Sequence, residues 1–225
     1  MRPEERLHPS TIRFREIQRS THCRFAKQAQ IWGNPSWNAR WSMEKNLARI
    51  FPHFNLFVGV SRQLELDGYV IELSSPEFGQ TLERLCSTVR GVLSYFSDRD
   101  PLRLNCMKQE IEDPSWWFSF DGERMFLLAF APCYEPRSSR CSGGYSSTFL
   151  LFQPEHTFDR AVPPGETRIP DVVRQDIRNS FAQADQPYDS QISQSYINAY
   201  KFVKPLRLGD PVVKWWLEDS FPDET

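Results

Sequence analysis

The segment from Asp113 to Asp159 holds the densest group of side chains that could do chemistry. Between one apolar run that ends at Phe130 and another that begins at Ser147 lie, among other residues, Pro132, Cys133, Tyr134, Pro136, Arg137, Arg140 and Cys141. A thiolate can act as a nucleophile or a metal ligand, and the planar fork of arginine binds carboxylates. Because binding groups tend to lie on loops that a rigid sheet holds in place, we expect function here. The alternative for the two arginines is that they are solvated loop charges.

A second candidate lies near the start of the chain, where Cys23 stands between His22 and Arg24. A neighbouring cation favours the thiolate, so Cys23 could be reactive or could ligate a metal. The alternative is a small apolar side chain that packs in the interior, which is the commoner use of a free cysteine.

Several familiar catalytic patterns are missing from the sequence. The histidines are His8, His22, His53 and His156, and none has the spacing of a helical zinc site. No glycine fingerprint for dinucleotides, no P-loop and no GxSxG pattern occurs. Catalysis by Cys23 or Cys133 with a distant histidine stays open. The residues could also supply one Cys, His or Tyr donor, aromatic walls and nearby arginines, which are the parts that hold a haem.

A β-hairpin must position the first of these groups. Trp116–Phe120 and Glu123–Phe130 are apolar runs joined by Asp121-Gly122, a pair that tolerates the positive φ angles of a two-residue turn. A third strand is predicted over Ser147–Gln153, ending at Pro154, which cannot donate to a sheet ladder.

Helix signals surround this hairpin. We predict a first helix from Ser10 as N-cap to Ser20, with Ile12, Phe14 and Ile17 inward, and a second over Ser42–Ile50. A strand is predicted over Tyr69–Leu73, followed by a helix that is capped by Ser75 and ends near Asp98. After the hairpin region we predict a surface connection over Ala161–Ile169, a helix opened by Pro170 and a last helix capped by Asp210. Together they predict an α+β fold: a single domain over residues 1–225, with an antiparallel sheet that contains the 116–130 hairpin and is packed by several helices.

Composition narrows the partners. The net charge of −2 and the pI near 6.1 give no basic excess, so we expect neither nucleic acid nor an anionic membrane as a partner. Five cysteines without a CxxC pair favour reduced thiols in the cytoplasm. The N-terminus lacks the apolar region of a signal peptide, and no run approaches the roughly 18 apolar residues of a membrane span.

The sequence resembles the YqcI/YcgG family over most of its length. The resemblance rests on the order and spacing of short motifs: Cys23-x-Phe25-Ala26, Asp113-Pro114, Trp117-x-Phe-x-Phe120-x-Gly122-Glu123, Ala131-Pro132, Ser139-Arg140, Phe152-x-Pro154, Phe158-Asp159, Ile177-Arg178, Tyr188-Asp189 and Lys214-Trp215-x-Leu217. Members of this family include haem-dependent oxygenases that hydroxylate a guanidine or amine nitrogen in guanitoxin and cycloserine biosynthesis.

The resemblance implies that this protein binds haem b and its iron, and oxidises a nitrogen of a small amino-acid-like amine or guanidine in a biosynthetic pathway. It would use dioxygen or peroxide with an external reductant. Cys133, Tyr134 and Arg140 are the expected catalytic residues. Arg137 and Arg140 are expected to pair with haem propionates or a substrate carboxylate, Trp117 and Phe118 to contact the cofactor, and Trp116 or Trp117 to stack on a guanidinium.

The sequence departs from the family at the iron donor. Many members carry a histidine in the loop after the hairpin, where this chain has Ala131, Cys133, Tyr134 and Ser138. The candidate donors are therefore Cys133, Tyr134, Cys23, His22 and His156, with His156 and Cys133 favoured as metal ligands.

Two other functions stay open. One is a haem or small-ligand binding protein without turnover, for which the missing loop histidine argues. The other is a thiol-dependent enzyme built on Cys23 and Cys133. The sequence leaves the oligomeric state open as well, with a homodimer among the alternatives.

Overall fold

A five-stranded mixed sheet in the order β1-β2-β5-β4-β3 forms the centre of the fold. The computed structural model describes residues 8–160, 162, 166, 169–186 and 189–218. The strands are β1 (Ile31–Gly33), β2 (Gly68–Leu73), β3 (Phe118–Phe120), β4 (Glu123–Phe130) and β5 (Thr148–Pro154). Only the β1–β2 pair is parallel, and the other pairs of the described sheet are antiparallel. The predicted α+β class is confirmed, with a sheet that is mostly antiparallel.

The predicted hairpin is confirmed. Phe120 pairs with Glu123 across a two-residue turn, in which Asp121 has a φ of 50° and Gly122 a φ of 77°. Positive φ at both central residues is the type I′ arrangement that suits the right-handed twist of the strands. The first strand of the hairpin, β3, begins at Phe118 rather than at Trp116. The strand predicted after the hairpin is β5, and it includes Pro154 as its last residue, opposite Met125.

Helices and 3₁₀ turns surround the sheet. Within the described residues the α-helices are α1 (Pro9–Ser20), α2 (Arg24–Gln28), α3 (Met43–Val60), α4 (Leu82–Ser97), α5 (His156–Asp159), α6 (Asp171–Gln183) and α7 (Ser190–Gln194), and the 3₁₀ turns are Pro76–Phe78, Cys106–Lys108 and Asn198–Lys201. In the part of the chain that the structure describes, none of these helices is both long and apolar enough to cross a bilayer.

Two predicted helix starts are wrong. Ser10 is not the N-cap of α1, because its hydroxyl donates to the backbone carbonyl of Asn34 at 3.0 Å, and His8 precedes the helix instead. Ser75 opens only the 3₁₀ turn, whereas α4 begins after Thr81, whose hydroxyl accepts from the backbone N–H of Arg84. The inward prediction for Ile12 also fails, since that side chain is 51% exposed.

Two further predictions need correction. The helix predicted over Ser42–Ile50 continues through Pro52 to Val60. The helix predicted after Asp210 does not form, because the indole N–H of Trp215 donates to the Ala199 carbonyl and its ring packs on Trp116 and Phe202. Most of the predicted Ala161–Ile169 connection, including Pro163, Pro164 and Gly165, and the motif residue Tyr188 lie outside the described residues.

The sheet buries both of its faces, and they differ. Successive side chains of a strand point to opposite faces, so Leu127 and Ala129 of β4 join a main core that α3 and α4 cover, while Leu128 and Phe130 face the other way. On that second face a smaller cluster packs against α1 through Phe14 and Ile17. The main core holds most of the large buried side chains, and the second face holds the cavity described next.

Candidate functional site

A cavity of about 960 Å³ lies on the second face of the sheet. Leu128, Phe130 and Leu151 come from the sheet, and α1, α2, α6 and the loop between β4 and β5 supply the walls. Further residues of the cavity wall include Phe14, Ile17, Cys23, Phe25, Ala26, Tyr134, Arg140, Cys141, Tyr145, Arg174, Ile177, Phe181 and Lys204. Pockets of a few hundred to about 1,000 Å³ with apolar walls and a few polar groups are typical of cofactor and ligand sites.

The two candidate regions of the sequence meet at this cavity. Cys23, Phe25 and Ala26 line it from the start of α2, and Tyr134, Arg140 and Cys141 line it from the loop after β4. Ile177 and Phe158, which belong to two later motifs, line it as well. Residues that are far apart in the chain therefore share one pocket.

Arg140 is a buried cation in the cavity wall. It is 5% exposed, and its guanidinium donates to the backbone carbonyls of Lys201 at 2.9 Å and Ala129 at 3.4 Å. The same group lies over the ring of Phe130, 5.7 Å from its centroid. These contacts tie the loop to β4 and to the 3₁₀ turn at Asn198–Lys201 and fix the position of the positive charge.

Lys204 is a second buried basic residue beside Arg140. It is 8% exposed, and burial together with the Arg140 charge lowers the pKa of its amine to about 7, against a smaller opposing effect of Asp189. Its backbone is held by Tyr134, whose hydroxyl donates to the Lys204 carbonyl and accepts from the Lys204 N–H. Burial raises the pKa of that hydroxyl far above the ordinary tyrosine value.

Cys133 does not line the cavity. Its backbone N–H donates to the Gly79 carbonyl, and its partly buried side chain packs against the main core near Cys86. Burial raises the pKa of the Cys133 thiol to about 12, and that of Cys86 likewise. A thiol of this kind is a poor nucleophile near neutral pH, because the thiolate is the reactive form.

His156 does not line the cavity either, although Thr157 and Phe158 next to it do. Its Nδ1 is 3.0 Å from Oε1 of Glu123, and its Nε2 is buried without a hydrogen-bond partner among the described residues. Glu123 begins β4, whereas Cys133 follows the end of that strand, and eight residues of β-strand span roughly 26 Å. The structure therefore does not bring His156 and Cys133 together. Within the described ranges, no three His, Cys, Asp or Glu side chains are grouped to hold a metal ion.

The remaining sequence candidates are scattered. Phe118 is fully buried in the main core, and Trp117, which is half-buried, does not line the cavity. Arg137 is exposed and pairs with Asp185 at 2.6 Å. The ring of His22 packs edge-on against Phe181 of the cavity wall, with 5.7 Å between the centroids.

Sequence reasoning missed Lys204 and Arg174 and gave no role to Cys141. Lys204 follows the apolar pair Phe202-Val203, and a lysine inside an apolar run was an available signal of burial. No local signal marks Arg174, because α6 brings it to the cavity only through the tertiary fold.

The family model of the YqcI/YcgG family matches residues 14–200, a range that includes both Cys23 and the loop after β4. No curated protein and no solved structure matches the chain.

Proposed function

Because the chain belongs to the YqcI/YcgG family, we propose that it binds haem b in the cavity and oxidises a nitrogen of a small amine or guanidine substrate in a biosynthetic pathway of the cytoplasm. The observation that carries the proposal is the convergence of the motif residues Cys23, Phe25, Arg140 and Ile177 on one apolar cavity. Dioxygen or peroxide and an external reductant complete the reaction.

The residues of the cavity fit a haem. Its walls are mainly apolar, as the macrocycle requires, and its volume of about 960 Å³ is in the range of cofactor sites. Arg140 and Arg174 place positive charge at the wall, where propionates or a substrate carboxylate would bind. An axial haem ligand needs one protein donor rather than a cluster of three.

The thiols of Cys23 and Cys141 and the imidazole of His22 are the donors that suit this position best. Both thiols belong to the cavity wall, and His22 packs against a wall residue. Tyr134 is less suitable, since its hydroxyl is engaged with the backbone of Lys204 and its pKa is raised by burial. When bound, haem would supply the activation of dioxygen or peroxide, and a thiolate donor would favour cleavage of the O–O bond.

The protein's own groups would orient the substrate. An arginine fork would bind a carboxylate, and the apolar side chains of Phe25, Leu128 and Phe130 would exclude water. The expected stacking on Trp116 finds no support, because that side chain is buried in the main core and bonded to the Cys106 carbonyl.

The first experiment is the visible absorption spectrum of protein expressed with added iron and haem precursor, recorded oxidised, reduced and with carbon monoxide. We expect a strong Soret band, and the position of the ferrous carbonyl band distinguishes thiolate from histidine ligation. Oxygen consumption with small amines and guanidines then tests turnover. A colourless protein that takes up no added haem would contradict the proposal.

Matched variants locate the donor. Cys23→Ser, Cys141→Ser and His22→Gln are the test variants, and one of them should change the ferrous carbonyl spectrum. Cys133→Ser and His156→Gln are the controls, because neither residue lines the cavity. A spectrum that changes only in a control variant would indicate that haem binds outside this cavity.

A second candidate function is the binding of an apolar small molecule without turnover. Several polar groups of the wall are already engaged within the protein: the Gln18 amide donates to the carbonyls of Ala26 and Ala29, and the Ser142 hydroxyl donates to that of Tyr145. Tight haem or ligand binding with no oxygen consumption for any amine would favour this function.

A further inference from the structure

Lys204 lies on the partition between two cavities. It lines the large apolar cavity and also a smaller one of about 300 Å³, which Glu135, Arg137, Asp185 and Asp189 make polar. Ser138 and Ser139 line both cavities as well. The lysine side chain therefore borders an apolar space that can hold a ligand and a polar space that can exchange water and protons.

The surroundings of the Lys204 amine favour its neutral form. Burial has the largest effect, and the charge of Arg140 in the loop after β4 adds to it. Asp189, which caps α7, has the opposite effect but does not outweigh the other two. Tyr134 contacts the Lys204 backbone and is itself neutral because burial raises its pKa. A lysine that is desolvated and next to another cation is the kind that reacts with carbonyl groups.

We propose that the Lys204 amine is a nucleophile of the large cavity and condenses reversibly with the carbonyl carbon of an aldehyde or ketone bound there, forming an imine. The nitrogen forms a bond to the carbonyl carbon, the amine protons move to the carbonyl oxygen, and that oxygen leaves as water. No oxidant or reductant takes part. Arg140 stays protonated throughout, since a guanidinium does not lose its proton in proteins, and keeps the neighbouring amine neutral.

This inference rests on the cavity and on the placement of Lys204, and it does not depend on haem. It assigns a second ligand class to the protein, namely apolar carbonyl compounds. The apolar wall selects the body of the ligand, and the amine at the partition selects its carbonyl group.

Reductive trapping of the full-length protein, without haem, tests the inference. Benzaldehyde and cyanoborohydride are added across a range of pH, and peptide mapping locates the stable adduct. We expect one main adduct at Lys204, with a labelling rate that is half-maximal near pH 7. At neutral pH the rate should exceed that of the exposed Lys45 at least about tenfold, because a lysine in water, with a pKa near 10.4, is almost entirely protonated.

Variants of Lys204 and of Lys201 test whether the adduct forms at the proposed position. Lys204→Met and Lys204→Arg should lose the adduct, whereas Lys201→Met, which changes a nearby lysine outside the cavity wall, should keep it. Site mapping on the unchanged protein decides the question even if a variant fails to fold. An adduct spread over exposed lysines or the N-terminus, with Lys204 unmodified, would overturn the inference.

The failure of this inference can be told apart from the failure of the proposed function. Haem binding with no labelling of Lys204 in the haem-free protein overturns only the carbonyl reaction. Labelling of Lys204 in a protein that takes up no haem supports the carbonyl reaction and contradicts only the oxygenase. Protection of Lys204 by haem would place both ligands in the same cavity.

Discussion

The hydroxyl of Tyr134 joins two backbone groups of Lys204: it donates to the carbonyl oxygen at 2.7 Å and accepts from the N–H at 3.1 Å. Tyr134 is 3% exposed and Lys204 is 8% exposed, so water cannot easily replace these bonds. The pair holds the loop after β4 against the segment that follows the 3₁₀ turn at Asn198–Lys201, and it fixes the backbone position of Lys204.

We predict that Tyr134→Phe lowers the free energy of unfolding by roughly 1–3 kcal/mol, because two buried backbone groups lose their partner. Urea unfolding followed by fluorescence measures the change. Tyr145→Phe is the matched control, since the hydroxyl of Tyr145 donates to Glu16 in an exposed contact. An equal decrease in the free energy of unfolding of the two variants would show that the buried Tyr134 bonds stabilise the protein no more than the exposed Tyr145 bond does.

The stability of the protein should depend on the protonation of Lys204. Its pKa is about 7 in the folded state against 10.5 in the unfolded chain. Between these values the unfolded chain binds a proton that the folded protein does not, so wild-type stability rises as the pH rises through this window.

We predict that Lys204→Met removes this dependence and is more stable than wild type at pH 7, by on the order of a few kcal/mol. The advantage should shrink as the pH approaches 10.5. Thermal unfolding at several pH values measures it, with the exposed Lys45→Met as control. A Lys204→Met protein that is less stable at pH 7 would show that the charged amine is well compensated in the fold.

Gly33 marks a close approach between β1 and α1. A Cβ at this position would collide with the Ser10 hydroxyl and lie 2.7 Å from Cγ2 of Thr11. We predict that Gly33→Ala costs roughly 1–3 kcal/mol by overpacking and shifts α1, a wall of the cavity. Chemical unfolding and haem or ligand affinity would both report the change.

Gly59→Ala is the matched control for this substitution. Gly59 lies in α3 with no atom within 4 Å of an added Cβ, so alanine should stabilise the helix by roughly 0.5–1 kcal/mol. Similar effects at the two glycines would contradict the close packing of α1 on β1.

The five thiols should fall into two groups. Burial raises the pKa of Cys86, Cys106 and Cys133, so these should react slowly with a maleimide in the native protein. Cys23 and Cys141, which line the cavity, should react first, and all five should react in denaturant.

Counting the labelled thiols by mass measures this prediction. Cys23→Ser should lower the native count by one, and Cys133→Ser should leave it unchanged. Fast labelling of Cys133 in the native state would contradict the raised pKa of its thiol and would restore it as a candidate nucleophile.

The hairpin could be predicted from the sequence because its signal is local. Asp121-Gly122 specifies the turn, and the apolar runs on each side specify the strands. The start of α4 could not be predicted from the sequence, since Ser75 and Thr81 are both residue types that cap helices. The structure uses Thr81, because Gly79 at the end of the 3₁₀ turn packs its backbone against Thr148 and Ala131. The missing last helix has a similar cause, in that Trp215 is anchored by Ala199 and by ring contacts that the sequence does not show.

The candidate site, like the fold, was predictable only where its sequence signals are local. The residue types alone identify the loop after β4 and the Cys23 motif as candidate sites, but as two separate ones. That they share a cavity depends on α1, α2 and the sheet, and thus on contacts between distant parts of the chain. The sequence does not distinguish Cys133 from Cys141. In the fold Cys133 packs against the main core, whereas Cys141 lines the cavity.

The alternation of side chains along β4 has an evolutionary consequence. Substitutions at Leu128 and Phe130 reshape the ligand space, whereas substitutions at Leu127 and Ala129 disturb the packing against α3 and α4. One strand thus carries two sets of positions with different structural roles. Relatives with this sheet could diverge in what they bind by drift at the even-numbered positions while the odd-numbered ones keep the fold intact.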